Sequence, residues 1–237
     1  MTPATPESIA QNLAKVRARI ARAATTAGRD PGSIRLLAVS KAQPLAALAA
    51  ALDAGQNEFG ENYLQQALPK MQALAARREP VWHFIGAVQT NKTRLVAENF
   101  AWVHTVDRQK IAQRLNDQRP AQLPPLNVCI EVNVSGEHSK TGVTPQALAA
   151  LAALVADLPR LKLRGLMAIP AVEADAEKQH PPFRRLRELL DGLNIQGYGM
   201  DTLSMGMSAD FEVAIAEGAT LVRLGTAIFG ARAAKHS

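Results

Sequence analysis

Apolar positions in this chain gather into short blocks, and between the blocks they recur at helical spacing. The first segment is helical. Ile9, Leu13, Val16 and Ile20 share one face, Thr5 stands as N-cap ahead of Pro6 at the first helical position, and Gly28 and Pro31 end it. From residue 35 onward, blocks and helical segments alternate. The predicted strands cover 35–40 (RLLAVS), 57–60, 81–86 (VWHFIG), 102–106 (WVHTV), 126–134 (LNVCIEVNV), 161–169 (LKLRGLMAI), 202–206 (TLSMG) and 221–225 (LVRLG). The helices predicted between them run from Pro44 to Gly55, then over 62–78, 91–99 and 108–118. Further helices run from Thr144-Pro145 to Pro159, over 176–191, and over 209–217 with Gly218 as the stop, and a short helical turn follows the last strand.

Several of these strands are near-continuous apolar runs, the pattern of a parallel sheet covered on both faces. Eight strand–helix pairs behind one extra N-terminal helix predict a single (β/α)8 TIM barrel, α/β in class, spanning 1–237 as one domain. An open doubly wound sheet that binds a nucleotide would want a glycine-rich turn after its first strand, and SKAQP has no glycine. RPAQLPP at 119–125 and HPP at 180–182 read as loop pieces too short for linkers, and 171–182 as a charged loop before the sixth helix of the repeat.

Composition narrows the class. The 237 residues are 47% hydrophobic, enough for a large core, and no uninterrupted apolar run reaches the roughly 18 residues of a membrane span. Met1 to Ser8 lacks the basic and apolar regions of a secretory signal, so a cytoplasmic location and no membrane partner are expected. Cys129, the only cysteine, lies in an apolar run and reads as a buried structural thiol. The net charge of +6 raises nucleic acid as a partner. Lys15, Arg17, Arg19 and Arg22, however, sit on one amphipathic helix, and no basic run is interleaved with aromatics. A solvated basic surface is the better reading, and its sign suits a protein that handles a dianionic phosphate ester.

Active sites of such barrels lie at the C-terminal strand ends, so the polar residues there are the candidates. Lys41 directly follows the first strand. A partly desolvated amine is nucleophilic toward an aldehyde, though on position alone a lysine snorkelling to water explains it equally well. Loops after strands 7 and 8 often build a phosphate site. Here Gly206, Met207 and Ser208 follow strand 7, and Gly225-Thr226 opens the final turn. N-capping accounts for either hydroxyl singly; both loops together point to an anion site, opposite Lys41. His83 and His104 have no third ligand at metal spacing and read as satisfied strand histidines, so no metal is expected. No G-x-S-x-G elbow supports a Ser/His/Asp triad.

The segments LLAVSK at 36–41, FGENY at 59–63, WHFIG at 82–86, QTNK at 89–92, LRGLMAIP at 163–170, TLSMGMSADF at 202–211 and VRLGTAIFGAR at 222–232 carry a resemblance. They span nearly the whole chain in order and resemble the pyridoxal phosphate homeostasis proteins, relatives of the alanine racemase N-terminal barrel domain. The resemblance implies pyridoxal 5′-phosphate as cofactor, bound as a Schiff base on Lys41. It implies phosphate contacts from the Met207-Ser208 segment, Gly225 and Thr226, and Arg223 beside the pyridine nitrogen. Asn62 and His83 are then expected to line the ring pocket. One departure is Gly86-Ala87-Val88, where proline and leucine would follow the glycine in the family pattern.

The resemblance further implies a carrier and buffer of the cofactor, with no catalytic residues of its own, apo-forms of pyridoxal phosphate enzymes as partners, and a monomer. The alternative is a pyridoxal phosphate enzyme such as a weak amino-acid racemase, and a more distant one is a cofactor-free Schiff-base aldolase. Two features favour the carrier: an arginine at the ring nitrogen opposes protonation of the ring, and the barrel leaves no residues for the second domain that supplies racemases with a tyrosine. Lys140 and Lys235 read as solvated surface amines.

Overall fold

The computed structural model describes residues 5–77, 80–137, 141–171, 173 and 175–230; Lys140 and Lys235 fall outside them. Parallel strands close into a barrel in chain order: β1 (Arg35–Val39), β2 (Glu58–Glu61), β3 (Val81–Phe84), β4 (Trp102–Val106), β5 (Leu126–Glu131), β6 (Leu161–Met167), β7 (Thr202–Ser204) and β8 (Leu221–Leu224). The closing pair aligns Arg35 with Leu221 and Ala38 with Leu224. Helices α2 (Leu45–Asp53), α3 (Leu64–Leu74), α4 (Thr93–Asn99), α5 (Gln109–Gln118), α6 (Pro145–Ala156), α7 (Ala176–Ile195), α8 (Phe211–Ala216) and α9 (Thr226–Phe229) follow the strands, and α1 (Pro6–Thr26) precedes them.

The apolar stripe on α1 is buried: Ile9, Leu13, Val16, Ile20 and Ala24 all face the core. The Thr5 hydroxyl caps it, accepting from the Ser8 N–H at 3.2 Å. The stripe packs on α2, α8 and α9, and Asn12 donates to the Ile228 carbonyl at 3.0 Å. Because α8 and α9 are short, α1 supplies the outer cover at the seam between β8 and β1.

Several boundaries differ from the sequence reading. Strand β5 stops at Glu131 because the chain turns there: Val132 meets Val143 in an isolated bridge, and the Asn133 N–H donates to Val143. Strand β6 stops at Met167, and Ile169 beyond it is exposed. Residues 180–182 are not a loop, since α7 runs through Pro181 and Pro182. Asp175 caps that helix through the Glu177 N–H at 3.1 Å, and Phe183, Leu186, Leu190 and Leu193 bury its inner face.

Inside the barrel, alternate strand residues meet. Leu37, Ile85 and Leu221 form one apolar group, and Trp102, Cys129 and Met167 another. Burial pushes the Cys129 thiol up to about 12, as befits an inert structural cysteine. Between the two groups runs a polar band of Arg35, Glu58, His83, His104, Ser204 and Arg223.

Candidate functional site

Strand alternation places Leu37 and Val39 inside the barrel and carries half-buried Lys41 to the same side, at the mouth. The turn that presents it is tightly held. The Gln43 N–H closes onto the Ser40 carbonyl at 3.1 Å, and Ala42 adopts a φ of 60°, a left-handed conformation that L side chains rarely take. From α3, Gln66 accepts the Ala42 N–H at 3.0 Å, and Lys70 donates to the Ser40 carbonyl at 2.9 Å. Lys70 also pairs with Glu61 at 2.7 Å, and the Ser40 hydroxyl donates to the same carboxylate oxygen at 2.7 Å. Glu61 is wholly buried, so the backbone on either side of Lys41 is anchored to an internal ion pair.

The two loops expected to hold an anion lie side by side, tied by the Arg223 N–H donating to the Gly206 carbonyl at 3.0 Å. Gly206 has a φ of 92°, and a Cβ there would stand 2.7 Å from Ala214 Cβ, so only glycine fits. After it, the N–H groups of Asp210 and Phe211 both close onto the Met207 carbonyl, and the Asp210 carboxylate accepts the Met207 N–H at 2.6 Å. This is half of a capping box. It leaves the N–H groups of Ser208 and Ala209, and the Ser208 hydroxyl, without a partner among the described residues. At α9 the N–H groups of Ile228 and Phe229 close onto the Gly225 carbonyl, leaving those of Thr226 and Ala227 similarly open. A Cβ on Gly225 would come within 3.2 Å of the Val39 carbonyl, which places this loop against the end of β1, two residues before Lys41.

Arg223 lies beneath these loops, buried except for 5% of its surface. One terminal nitrogen donates to the Ser204 carbonyl at 2.6 Å and to its hydroxyl at 2.8 Å; the other donates to the Ala168 carbonyl at 2.9 Å. Its Nε–H is left without a partner among the described residues. Burial lowers the guanidinium to about 10 against the opposing pull of Asp210 and Glu131, so it stays charged at neutral pH. Burial raises the carboxyls of Glu131 and Asp210 in turn.

Of the residues singled out from sequence, Lys41, Met207, Ser208, Gly225 and Thr226 are at the mouth, Arg223 directly under it. Asn62, just past β2, has a buried Oδ1 with no partner among the described residues. His83 is different: its exposure is 0%, and its ring stacks on Trp102 and bonds to His104 inside the barrel. Sequence reasoning gave no role to Glu61, although it ends the second strand, overlooked Gln66, Lys70, Asp210 and Glu131, and read His104 only as core. Glu61 lies within the quoted FGENY segment; Lys70 and Gln66 carry no local signature. The loop that departs from the family pattern, Gly86-Ala87-Val88, rims a cavity of about 480 Å³ beside the mouth, shared with Asn62, Tyr63 and Lys92.

Comparison with known proteins accords with this architecture. The family model described as alanine racemase, N-terminal domain, matches residues 11–233. The pyridoxal phosphate homeostasis protein of Pseudomonas aeruginosa is 63% identical over 225 residues, covering 95% of this chain and 96% of that protein. The protein of that name from Escherichia coli is 56% identical over 227 residues, covering 94% and 97%. The structure of PipY from Synechococcus elongatus with PLP bound superposes with a TM-score of 0.81 at 34% identity, covering 94% of this chain and 100% of PipY.

Proposed function

This chain belongs to the family of the pyridoxal phosphate homeostasis proteins, built on the alanine racemase N-terminal domain, and from that premise we propose that it binds, carries and buffers pyridoxal 5′-phosphate without turnover of its own. Lys41 is the amine that holds the cofactor, as a Schiff base. The observation that carries this reading is the strained, anchored turn that displays Lys41 next to two loops with open N–H donors. Those donors fit a phosphate dianion, with Ser208 and Thr226 adding hydroxyls and Met207, Gly206 and Gly225 letting backbone approach closely. Arg223 fits a ring nitrogen through its open Nε–H. Asn62 fits a polar ring substituent, since leaving its buried Oδ1 unpaired costs about 1–3 kcal/mol. His83 supports this pocket from beneath.

The bound cofactor supplies an aldehyde that condenses with amines and a ring that can draw electrons from that linkage. The protein groups favour holding over reacting. A charged guanidinium at the ring nitrogen keeps that nitrogen unprotonated, which weakens the ring as an electron sink. The only tyrosines are Tyr63, which is 59% exposed, and Tyr198, which packs against the core. The same reading takes the chain as a cytoplasmic monomer whose partners are apo-forms of pyridoxal phosphate enzymes. No described helix is long and apolar enough to cross a membrane.

Two measurements test the proposal. Protein mixed with pyridoxal 5′-phosphate should show a visible absorption band, lost in Lys41→Ala, and borohydride should fix the cofactor on the Lys41 peptide. A label found only on another lysine overturns the assignment. Loaded protein incubated with L-alanine in D2O should exchange the α-proton far more slowly than the roughly 1–10³ s⁻¹ of enzymes. Exchange in that range, abolished by Lys41→Ala, would make the protein a racemase-type enzyme instead.

A further inference from the structure

Arg223 is the start of a hydrogen-bonded chain that crosses the interior of the barrel. Its Nη1 lies 2.8 Å from Ser204 Oγ on β7, Ser204 Oγ lies 2.8 Å from His104 Nδ1 on β4, and His104 Nε2 lies 2.9 Å from His83 Nδ1 on β3. His83 Nε2 ends the chain: it is buried without a hydrogen-bond partner among the described residues, and the Glu58 carboxylate, at the opening of β2, lies 3.5 Å from it. Glu58 is held bidentately by Arg35, at 3.0 and 2.9 Å, and both reach the solvent at the N-terminal face. Ser204, His104 and His83 are completely buried. Nothing in the holding of phosphate or of the Lys41 amine uses them.

The direction of the chain follows from donor chemistry. A guanidinium has no acceptor, so Ser204 Oγ must accept from Arg223 and is free to donate its own proton to His104 Nδ1. His104 then carries its proton on Nε2 and donates to His83 Nδ1, and His83 in turn presents Nε2–H toward Glu58. The reverse arrangement would leave a bare lone pair on the fully buried His83 ring facing a carboxylate. Both imidazoles are held well below their usual range by burial, so the neutral forms that this direction needs are the ones present.

We propose that Ser204, His104 and His83 are positioning residues: a one-way hydrogen-bond relay, ending beside the Glu58–Arg35 ion pair, that sets the orientation of Arg223 and so aims its Nε–H at the cofactor's ring nitrogen. This rests on the cofactor reading above. It adds that the grip on the ring is determined on the opposite wall of the barrel, by groups that never touch the cofactor. A packing role and a relay role make opposite demands at His83. Leucine is close to histidine in volume but offers no acceptor; asparagine leaves a void but keeps an acceptor where Nδ1 stood.

The test is a titration of the full chain with pyridoxal 5′-phosphate, reading dissociation constant and absorption maximum. His83→Leu and Ser204→Ala should each weaken binding at least threefold and shift the band of the bound cofactor. Their combination should be no worse than the weaker-binding single variant, because both break one chain. His83→Asn, which keeps the acceptor for His104 but not the donor toward Glu58, should bind more tightly than His83→Leu and less tightly than wild type. Binding that is weaker in His83→Asn than in His83→Leu, or equal to wild type in all variants, overturns the relay. Wild type alone gives a second reading that no misfolded variant can obscure: ¹⁵N shifts of the cofactor-free protein should report both histidines as neutral and protonated on Nε2. A proton on His104 Nδ1 reverses the chain and overturns the proposal. Wild-type protein that shows these shifts yet takes up no cofactor refutes the cofactor reading and leaves the hydrogen-bond chain itself standing.

Discussion

Ala42 is the residue whose conformation has a cost. A left-handed φ disfavours an L side chain by about 1–2 kcal/mol, and here Gln66 and the closed turn hold it in place. Ala42→Gly should leave global stability within about 1 kcal/mol of wild type, because relief of strain is offset by the greater freedom of glycine in the unfolded chain. It should nonetheless weaken cofactor binding about fivefold, since ordering one freed residue costs about 1 kcal/mol. Thermal unfolding of the cofactor-free protein and titration of the loaded one check the two halves. Unchanged affinity would remove the turn from the list of positioning features. Lys41 was legible from its place after an apolar strand. Ala42, Gln66 and Lys70 were not, because their roles come from α3 lying across the turn, a contact over some twenty-four to thirty positions.

At the level of elements, the two loops at the mouth were readable because glycine, serine and threonine follow two strands in the places a barrel uses. The backbone N–H donors survive side-chain changes, so the hydroxyls carry only part of the affinity. Ser208→Ala with Thr226→Val should weaken pyridoxal 5′-phosphate at least tenfold, about 1.4 kcal/mol from two charge-assisted bonds of roughly 1.5–3 kcal/mol each. Equal affinity by titration would place the phosphate elsewhere. The misread piece is 180–182, read as loop although a helix is predicted over 176–191. Pro181 and Pro182 each cost a helix interior about 3 kcal/mol, and this local signal pointed to a loop. Four buried side chains from Phe183 to Leu193 offset it at roughly 1.5–3 kcal/mol each. Helix α1 shows the opposite case: cap, proline and apolar stripe agree, and the burial followed.

For the whole molecule, the buried histidine pair sets a pH dependence. His83 and His104 are lowered in the folded protein relative to about 6.5 in the unfolded chain. Below about pH 6.5 the unfolded chain therefore binds more protons, and stability falls as pH falls. Their contribution is complete above that value. Each histidine adds a slope approaching about 1.4 kcal/mol per pH unit. Urea midpoints measured from pH 8 down to pH 5 should drop below pH 6.5, and the drop should flatten in His83→Asn with His104→Asn. The same curve in that double variant would mean that other groups carry the acid sensitivity. Glu131 and Asp210 cannot mimic it, because a raised carboxyl favours the folded state on acidification.

The order of strands and helices, the closed barrel, the mouth residues and the family were determined by the sequence alone, since each rests on local periodicity or on contiguous motifs. Apolar blocks without alternation can only be satisfied between two covering layers, and eight of them in parallel close most simply on themselves. What only the tertiary structure decided is where polar side chains of different strands meet. Ser204 and His104 are a hundred positions apart, yet they touch because β7 and β4 face each other across the barrel. The same closure buried His83, directed Glu61 and Lys70 at the Lys41 turn, and left one donor of Arg223 open. No spacing along the chain encodes such contacts, because they depend on which side of each strand points inward and on how the strands stagger when the barrel shuts.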